Sequence, residues 1–184
     1  DGELSPARVA LPFLRAGLGV PSFGTAGELG FGQGMSVNAH AAATSVQWCG
    51  TDFNPSQAAF AQELAHVSGN GAHVVDQAFA EFCARTDLPD FDFIGLHGIW
   101  TWISDENRAV IVDFVRRKLK VGGVLYVSYN TLPGWASGAP LRHLMAEHAH
   151  AMGAPGEGIV KRINGSLAFT EKLLALNTGY LRAV

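Results

Sequence analysis

Residues 28–34 read Glu-Leu-Gly-Phe-Gly-Gln-Gly, and this short run decides the fold. It stands where a strand-like segment, residues 25–29, gives way to a helical segment that continues to Ala43. Glycines let a backbone turn sharply and approach a ligand closely, and a helix start offers unpaired N–H groups. Asp52 follows Gly30 by 22 residues, a spacing at which an acid can bind ribose hydroxyls. A tight turn alone would explain the glycines but not the acid, so the pattern predicts a nucleotide-cofactor site.

Outward from this run, apolar segments of strand length alternate with longer segments of helical period. This alternation is typical of a doubly wound, Rossmann-like α/β fold with a mostly parallel sheet. Ser5-Pro6 and Asn54-Pro55 each predict a helix start, because a cap residue precedes a proline in the first turn. We expect the strand order 3-2-1-4-5 for strands at residues 25–29, 46–51, 72–75, 91–96 and 124–129. The predicted helices end near Leu14, Ala43, Val67, Arg85 and the Gly122-Gly123 pair, and two more cover residues 141–151 and 158–177.

Composition favours a well-packed globular domain. Of the 184 residues, 48% are apolar and 16% are charged, which suits a packed interior. The net charge of −3 gives no general attraction to phosphate, so we expect no nucleic-acid partner. No apolar run approaches the roughly 20 residues of a membrane helix, so we expect no membrane span. Cys49 and Cys83 form no CxxC motif, and no secretory leader is recognisable, which favours the cytoplasm. Because the chain begins with Asp1, we expect it to be a fragment.

Departures from the dinucleotide pattern indicate a different cofactor. In G-x-G-x-x-G counted from Gly30 the third glycine would stand at Met35, whereas the chain reads acid-x-G-x-G-x-G. This run resembles motif I of the class I S-adenosylmethionine-dependent methyltransferases. The resemblance implies that Glu28 holds the amino group of the cofactor's methionine moiety and that Asp52 binds the ribose hydroxyls. It also implies that the cofactor is bordered by a loop made of Gly30, Phe31, Gly32 and Gly34.

Further cofactor contacts are implied at the ends of the other strands. Phe53 could flank adenine with its ring, and Asn54 follows it. After strand three, Asp76-Gln77-Ala78-Phe79 resembles the family's contact to the adenine amino group, with either Asp76 or Gln77 in that role. His97 follows strand four at the expected switch point, where a ligand would lie. It could also be a general base or cap its loop. These contacts come from Phe53, Asn54, Asp76, Gln77, Phe79 and His97.

Two later stretches narrow the resemblance. Residues 97–104 and the Tyr-Asn-Thr-Leu-Pro-Gly-Trp run at 129–135 are similar to methyltransferases that carry a following methyltransferase regulatory domain. That group includes protein-lysine methyltransferases acting on bacterial outer-membrane proteins. The resemblance implies a cofactor-binding domain over residues 1–151 and a helical segment, residues 152–184, that leads towards an absent regulatory domain. We recognise no sixth or seventh strand.

An acceptor pocket with an aromatic wall is expected for methyl transfer to an amine. In-line displacement at a sulfonium needs mainly alignment and a dry pocket. A lysine amine, with a free pKa of ~10.4, must first lose a proton, which apolar surroundings favour. Wall candidates are Trp100, Trp102, Tyr129 and Trp135, although Trp100 and Trp102 could merely bury their rings. We assign catalytic roles to Trp100, Tyr129 and Asn130, the last two through a hydroxyl or carbonyl that orients the amine.

Other functions stay open at this point. A small-molecule or glycan methyltransferase would share every cofactor residue. A non-catalytic module could retain the fold and bind the cofactor while regulating a partner. An NAD-dependent reductase is the weakest alternative, because Met35 breaks its fingerprint. His143, Glu147 and His150 are better explained as one face of an exposed helix than as metal ligands, so we predict no metal. The oligomeric state is not predicted.

Overall fold

Five parallel strands form the central sheet in a computed structural model, which describes residues 2–176 and Gly179. The strand order is 3-2-1-4-5, so the predicted Rossmann-like sheet is confirmed. Every pairing in this sheet is parallel, which places all strand carboxyl ends at one edge. The strands are β1 (Thr25–Leu29), β2 (Gln47–Asp52), β3 (His73–Asp76), β4 (Phe91–Leu96) and β5 (Leu119–Val127).

Helices cover both faces of the sheet. Asn54 caps one of them as the sequence predicts, because its side-chain oxygen accepts from the backbone N–H group of Ser56 at 3.0 Å. Ser104 caps another in the same way, through the N–H group of Asn107 at 3.3 Å. A short 3₁₀ turn, Gly2–Leu4, precedes the first helix. The helices of this part are α1 (Pro6–Arg15), α2 (Met35–Ala43), α3 (Pro55–Ser68), α4 (Phe79–Cys83) and α5 (Asp105–Lys118).

The sheet separates two apolar cores, because neighbouring residues along a buried strand point to opposite faces. Phe93 packs in the core shared with α2 and α3, where its ring meets Trp48 at a centroid distance of 6.1 Å. Ile94 packs in the other core with α4 and α5, where Phe114 lies between Phe82 and Phe91 at 6.0 and 5.9 Å. Burial of these large side chains on both faces holds the strand ends in register.

The boundaries around β5 differ from the sequence prediction. We expected a helix region ending at Gly122-Gly123 and a strand from Val124, but the helix ends at Lys118 and the strand begins at Leu119. The reason is a tertiary pairing: Leu119 pairs with Phe91, and an irregularity follows before the regular ladder resumes. Gly122 adopts φ +83° inside this bulge, so the two glycines shape the strand and do not end a helix.

Other boundaries shift by one or two residues. β2 and β3 each begin and end one residue later than predicted, so Asp52 and Asp76 are the last strand residues and pair with each other in register. α4 ends at Cys83 and not at Arg85.

One carboxylate joins three strands at the edge opposite their carboxyl ends. Asp92 accepts from the backbone N–H groups of Gly24 and Thr25 at 2.8 and 2.9 Å. Lys120 pairs with the same carboxylate at 3.0 Å. The starts of β1, β4 and β5 are therefore tied together.

The residues from Asn130 onwards form a second compact unit, separate from the unit that ends at Tyr129. It contains α6 (Ala139–Met152) and α7 (Ile159–Ala175), which confirms two late helices, although the predicted end at Asn177 lies outside the described residues. The His148 ring stacks on Phe169 at 4.4 Å between centroids. Within the described part of the chain, no helix is long and apolar enough to cross a membrane, and no three His, Cys, Asp or Glu residues are grouped as a metal site.

Candidate functional site

The glycine loop between β1 and α2 has an unusual backbone. Gly30, Gly32 and Gly34 have φ values of +73°, +60° and +67°, in the left-handed region that favours glycine. The Gly30 N–H donates to the Thr51 carbonyl at 2.8 Å, which holds the loop against β2. This alternation of left-handed glycines is why the run contains a glycine at every second position.

The three glycines serve different purposes. A Cβ on Gly34 would overlap the Cβ of Ala61, so this glycine permits close packing of α2 on α3. A Cβ on Gly30 would lie 2.9 Å from Cγ2 of Ile99, which covers this point of the loop. At Gly32 the nearest atom is Oε1 of Gln57, 3.8 Å from such a Cβ. Gly32 is therefore the glycine whose surroundings leave room for a ligand.

Asp52 is held against the loop by two backbone hydrogen bonds. Its Oδ2 accepts from the Gly32 N–H and its Oδ1 from the Asn54 N–H, both at 2.9 Å. The side chain is buried at the end of β2. These bonds fix both carboxylate oxygens, while each oxygen keeps capacity for another donor such as a hydroxyl group.

Glu28 is the least satisfied carboxyl group of the site. It lies on β1 beside Gly50 of β2, is only 4% exposed, and its Oε2 has no hydrogen-bond partner among the described residues. Burial raises the pKa of this carboxyl to about 8. An unpartnered buried carboxyl group is costly, so the position is explained best by a ligand that brings a donor or a positive charge.

The end of β3 adjoins Asp52. The backbone N–H of Gln77 donates to the Asp52 carbonyl at 3.2 Å, and the Thr51 hydroxyl donates to the Gln77 carbonyl. Asp76 is exposed, whereas Gln77 and Phe79 are half-buried. The strand-end residues that the sequence singles out are therefore brought to one rim.

Phe53 and Asn54 follow Asp52 on the same rim. The Phe53 ring is 74% exposed, so its face is accessible to a planar ligand. The Asn54 side chain caps α3 through its carbonyl oxygen, which gives this residue a structural role in addition to the predicted cofactor contact. Phe31, also predicted to contact the cofactor, is buried in the core with Trp48.

An arginine missed by the sequence analysis lies behind this rim. Arg85 donates from Nη1 to Oε1 of Gln77 at 3.4 Å. Its other nitrogens bind the Asp87 carboxylate at 2.9 and 2.6 Å, and this hydrogen bonding lowers the pKa of Asp87 to about 2. His73 Nε2 lies 3.5 Å from Nη2. No sequence motif marks this contact, because it joins a strand end to the loop after α4.

His97 lies at the end of β4 among hydroxyl groups of β5 and the residue after it. Its Nδ1 is 3.3 Å from the Tyr126 hydroxyl and 3.4 Å from the Ser128 hydroxyl, and its ring stacks on Tyr126 at 5.9 Å. Ser128 also accepts from the Gly98 N–H at 2.6 Å. The alternation of Tyr126 and Ser128 along the chain, two residues apart on one face, was the available sequence signal.

The predicted aromatic wall is divided between the two units. Trp100 is half-buried against α5, where Arg108 lies 5.9 Å from its ring centroid and donates to its carbonyl at 3.1 Å. Tyr129 is 61% exposed at the end of the first unit. Asn130 and Trp135 belong to the second unit. The catalytic role of Asn130 and the place of Trp135 in the aromatic wall therefore stay predictions.

Comparison with known proteins relates this chain to several others. A family model described as a methyltransferase domain matches residues 27–127. An uncharacterized protein of Synechocystis sp. is 42% identical over 184 residues, covering 97% of this chain and 36% of that protein. An uncharacterized protein of Rickettsia prowazekii is 28% identical over 173 residues, covering 85% of this chain and 68% of that protein.

Solved structures include a similar fold with a bound ligand. PKMT2 from Rickettsia typhi, solved in complex with AdoHcy, is 26% identical with a TM-score of 0.59, covering 69% of this chain and 25% of that chain. This chain thus spans about a third of the length of the Synechocystis protein and a quarter of PKMT2, at 36% and 25% coverage.

Proposed function

The chain belongs to the methyltransferase domain family, and from this membership we propose that it binds S-adenosylmethionine and transfers the methyl group to a nucleophilic acceptor. The matched residues 27–127 include the glycine loop, Asp52 and the ends of β3 and β4. The observation that carries the proposal is Glu28, a buried carboxyl group at the end of β1 with an oxygen that has no hydrogen-bond partner among the described residues.

The residues present fit this cofactor. The amino group of its methionine moiety is a cation with several donors, which is what the Glu28 carboxyl lacks. Asp52 retains acceptor capacity for ribose hydroxyls, and Gly32, whose N–H donates to Asp52, leaves open space next to this carboxylate. A dinucleotide would instead bring phosphates towards Glu28, which supply no positive charge to this buried carboxyl group and would repel its ionised form.

The chain's contribution to the reaction is positioning. S-adenosylmethionine supplies a methyl group on a positively charged sulfur, which a nucleophile can take by in-line displacement. Glu28 binds the amino group of the methionine moiety and Asp52 binds the ribose hydroxyls. Asp76 or Gln77 binds the base at the end of β3. Exclusion of water from the site strengthens these charged contacts. His97, near the Tyr126 and Ser128 hydroxyls, is part of the same strand-end rim.

We propose a protein lysine as the acceptor. The support is the likeness to PKMT2 from Rickettsia typhi at 26% identity. Exposed aromatic side chains suit this acceptor, because aromatic faces attract a lysine cation and apolar surroundings favour its neutral form. In this proposal Tyr129 orients the amine and Trp100 forms part of the wall.

Calorimetric titration with S-adenosylmethionine and S-adenosylhomocysteine tests cofactor binding. The expected result is binding by the folded wild-type chain that is weakened in Glu28→Gln and Asp52→Asn. No binding by the folded wild type would end the proposal. A labelled methyl donor, offered with a lysine-containing protein and with small-molecule amines and glycans, then identifies the acceptor. Binding without transfer to any acceptor, in the full-length protein, would favour the non-catalytic module.

The setting and domain organisation are also proposals. A reducing cytoplasm is supported by Cys49 and Cys83, which are both free thiols. We propose residues 1–151 as the cofactor-binding domain and residues 152–184 as a segment leading to a further domain, a boundary that lies later in the chain than the division into compact units after Tyr129. The greater length of the Synechocystis protein, of which this chain covers 36%, supports that organisation.

A further inference from the structure

The carboxamide of Gln77 has a defined orientation. Arg85 approaches its Oε1 at 3.4 Å, and an arginine side chain can only donate hydrogen bonds. The oxygen of the amide must therefore face Arg85, and the NH₂ group must face away from it. No hydrogen bond among the described residues uses that NH₂ group. The Gln77 carboxamide can in general donate or accept a hydrogen bond, and the contact with Arg85 leaves its NH₂ group to act as a donor.

Arg85 itself is held firmly. Two of its nitrogens bind both oxygens of Asp87, at 2.9 and 2.6 Å, in the paired geometry that fixes a guanidinium group best. The Arg85 side chain is 22% exposed, so it is mostly packed into the structure. The orientation of the Gln77 amide is consequently set by a guanidinium group that Asp87 holds in place.

Gln77 lies on the rim of the cofactor site. Its backbone N–H donates to the Asp52 carbonyl at 3.2 Å, so it is one hydrogen bond away from the ribose-binding acid. Asp76, the preceding residue, presents an exposed carboxylate at the end of β3. One acceptor side chain and one donor side chain therefore stand next to each other there.

From this arrangement we propose that Arg85 is a positioning residue for recognition of the cofactor's base. By fixing Gln77 as a donor towards a purine ring nitrogen, while Asp76 accepts from the exocyclic amine, it makes the site prefer adenine to hypoxanthine. The proposal rests on the proposed cofactor. Arg85 acts only through Gln77 and does not touch the ligand.

The physical basis of this preference is that adenine and hypoxanthine present opposite patterns of hydrogen-bond donors and acceptors. Adenine offers an amine donor beside the acceptor N1, whereas hypoxanthine offers a carbonyl oxygen beside N1–H. A fixed Gln77 donor would face N1–H, which leaves two donors opposed and unpaired. If Arg85 no longer holds the amide oxygen, the carboxamide can turn over and accept from N1–H. Loss of Arg85 therefore relaxes specificity and does not simply weaken binding.

The test compares dissociation constants for S-adenosylhomocysteine and S-inosylhomocysteine, measured by calorimetry. We expect the wild-type chain to prefer the adenosyl ligand by at least about tenfold. In Arg85→Met the preference should fall at least about threefold, mainly because the inosyl ligand binds better. Arg85→Lys keeps a donor for the amide oxygen and should restore the preference. Arg117→Met is the matched control, because Arg117 also pairs with an aspartate, Asp113 at 2.8 Å, but lies on α5.

The outcomes separate this inference from the proposed function. An unchanged preference in a folded Arg85→Met chain would overturn the role of Arg85 while leaving cofactor binding intact. Failure of the wild type to bind S-adenosylhomocysteine would instead overturn the proposed function and this inference with it. Should Arg85→Met fail to fold, Asp87→Asn loosens the same guanidinium group, and an unchanged preference there refutes the inference equally.

Discussion

Replacing Glu28 by glutamine is expected to flatten the pH dependence of the free energy of unfolding. The Glu28 pKa of about 8 lies well above the ordinary value of 4.5, because burial disfavours the charged form. Between those two values the unfolded chain has released the proton while the folded chain still holds it. The folded state of the wild type therefore loses stability as pH rises through this window, and the loss ends once the folded carboxyl ionises as well.

The magnitude follows from proton linkage. Each pH unit within the window changes the free energy of unfolding by up to about 1.4 kcal/mol, so the range from about pH 5 to pH 8 corresponds to up to about 4 kcal/mol. Glutamine has nearly the same shape but cannot ionise. The stability of Glu28→Gln relative to the wild type should thus rise by up to about 4 kcal/mol across this range.

Urea unfolding followed by tryptophan fluorescence at several pH values measures this difference. Trp48 is buried, so its emission reports loss of the core. Glu106→Gln is the matched control, since hydrogen bonds from its own backbone and Ser104 lower the Glu106 pKa, and it stays ionised across the range. The control curve should run parallel to the wild-type curve. If the Glu28→Gln curve is parallel too, the carboxyl is not buried and protonated as argued.

Three further results are expected. Gly34→Ala should lower the free energy of unfolding in urea by about 2–4 kcal/mol, because its methyl group overlaps Ala61. Gly32→Ala should lower it by only about 1 kcal/mol yet weaken S-adenosylhomocysteine binding at least about tenfold. Equal effects of the two substitutions on stability would contradict the different roles of these glycines. Asp52→Asn opposes an NH₂ group to one backbone N–H, so it should cost about 1–3 kcal/mol and weaken the same binding, and wild-type affinity would refute the ribose assignment. Since Glu28 must ionise to pair with a ligand cation, affinity should rise with pH up to about 8, with proton release detectable as a buffer-dependent calorimetric heat; no buffer dependence would argue against it.

Local signals carried the sequence prediction of the fold. Gly30 and its neighbouring glycines adopt a left-handed backbone that few other residues favour, and Asn54 has a side-chain oxygen that can cap a helix. Both signals can be read within one segment of the sequence. The start of β5 was not readable, because Leu119 becomes a strand residue only through pairing with Phe91. The prediction therefore placed the end of the helix too late, at the Gly122-Gly123 pair.

The candidate site was predicted in part for the same reason. Acids at strand ends are visible in a sequence, and Asp52 with its hold on Gly32 matches that pattern. The degree to which Glu28 is buried without a partner is a property of packing from several segments. The contact from Arg85 to Gln77 depends on how the loop after α4 folds back, which no local pattern encodes.

The polar contacts around Asp92 stabilise the edge of the sheet that lies opposite the candidate site. Asp92 binds Gly24, Thr25 and Lys120 and so links three strands at their amino-terminal ends. These contacts do not involve the loops at the carboxyl ends of the strands. Those loops can diverge among relatives, and take on new acceptors, at little risk to folding. Stabilisation of the strands at their amino-terminal ends thus allows the loops at their carboxyl ends to change in sequence while the sheet still folds.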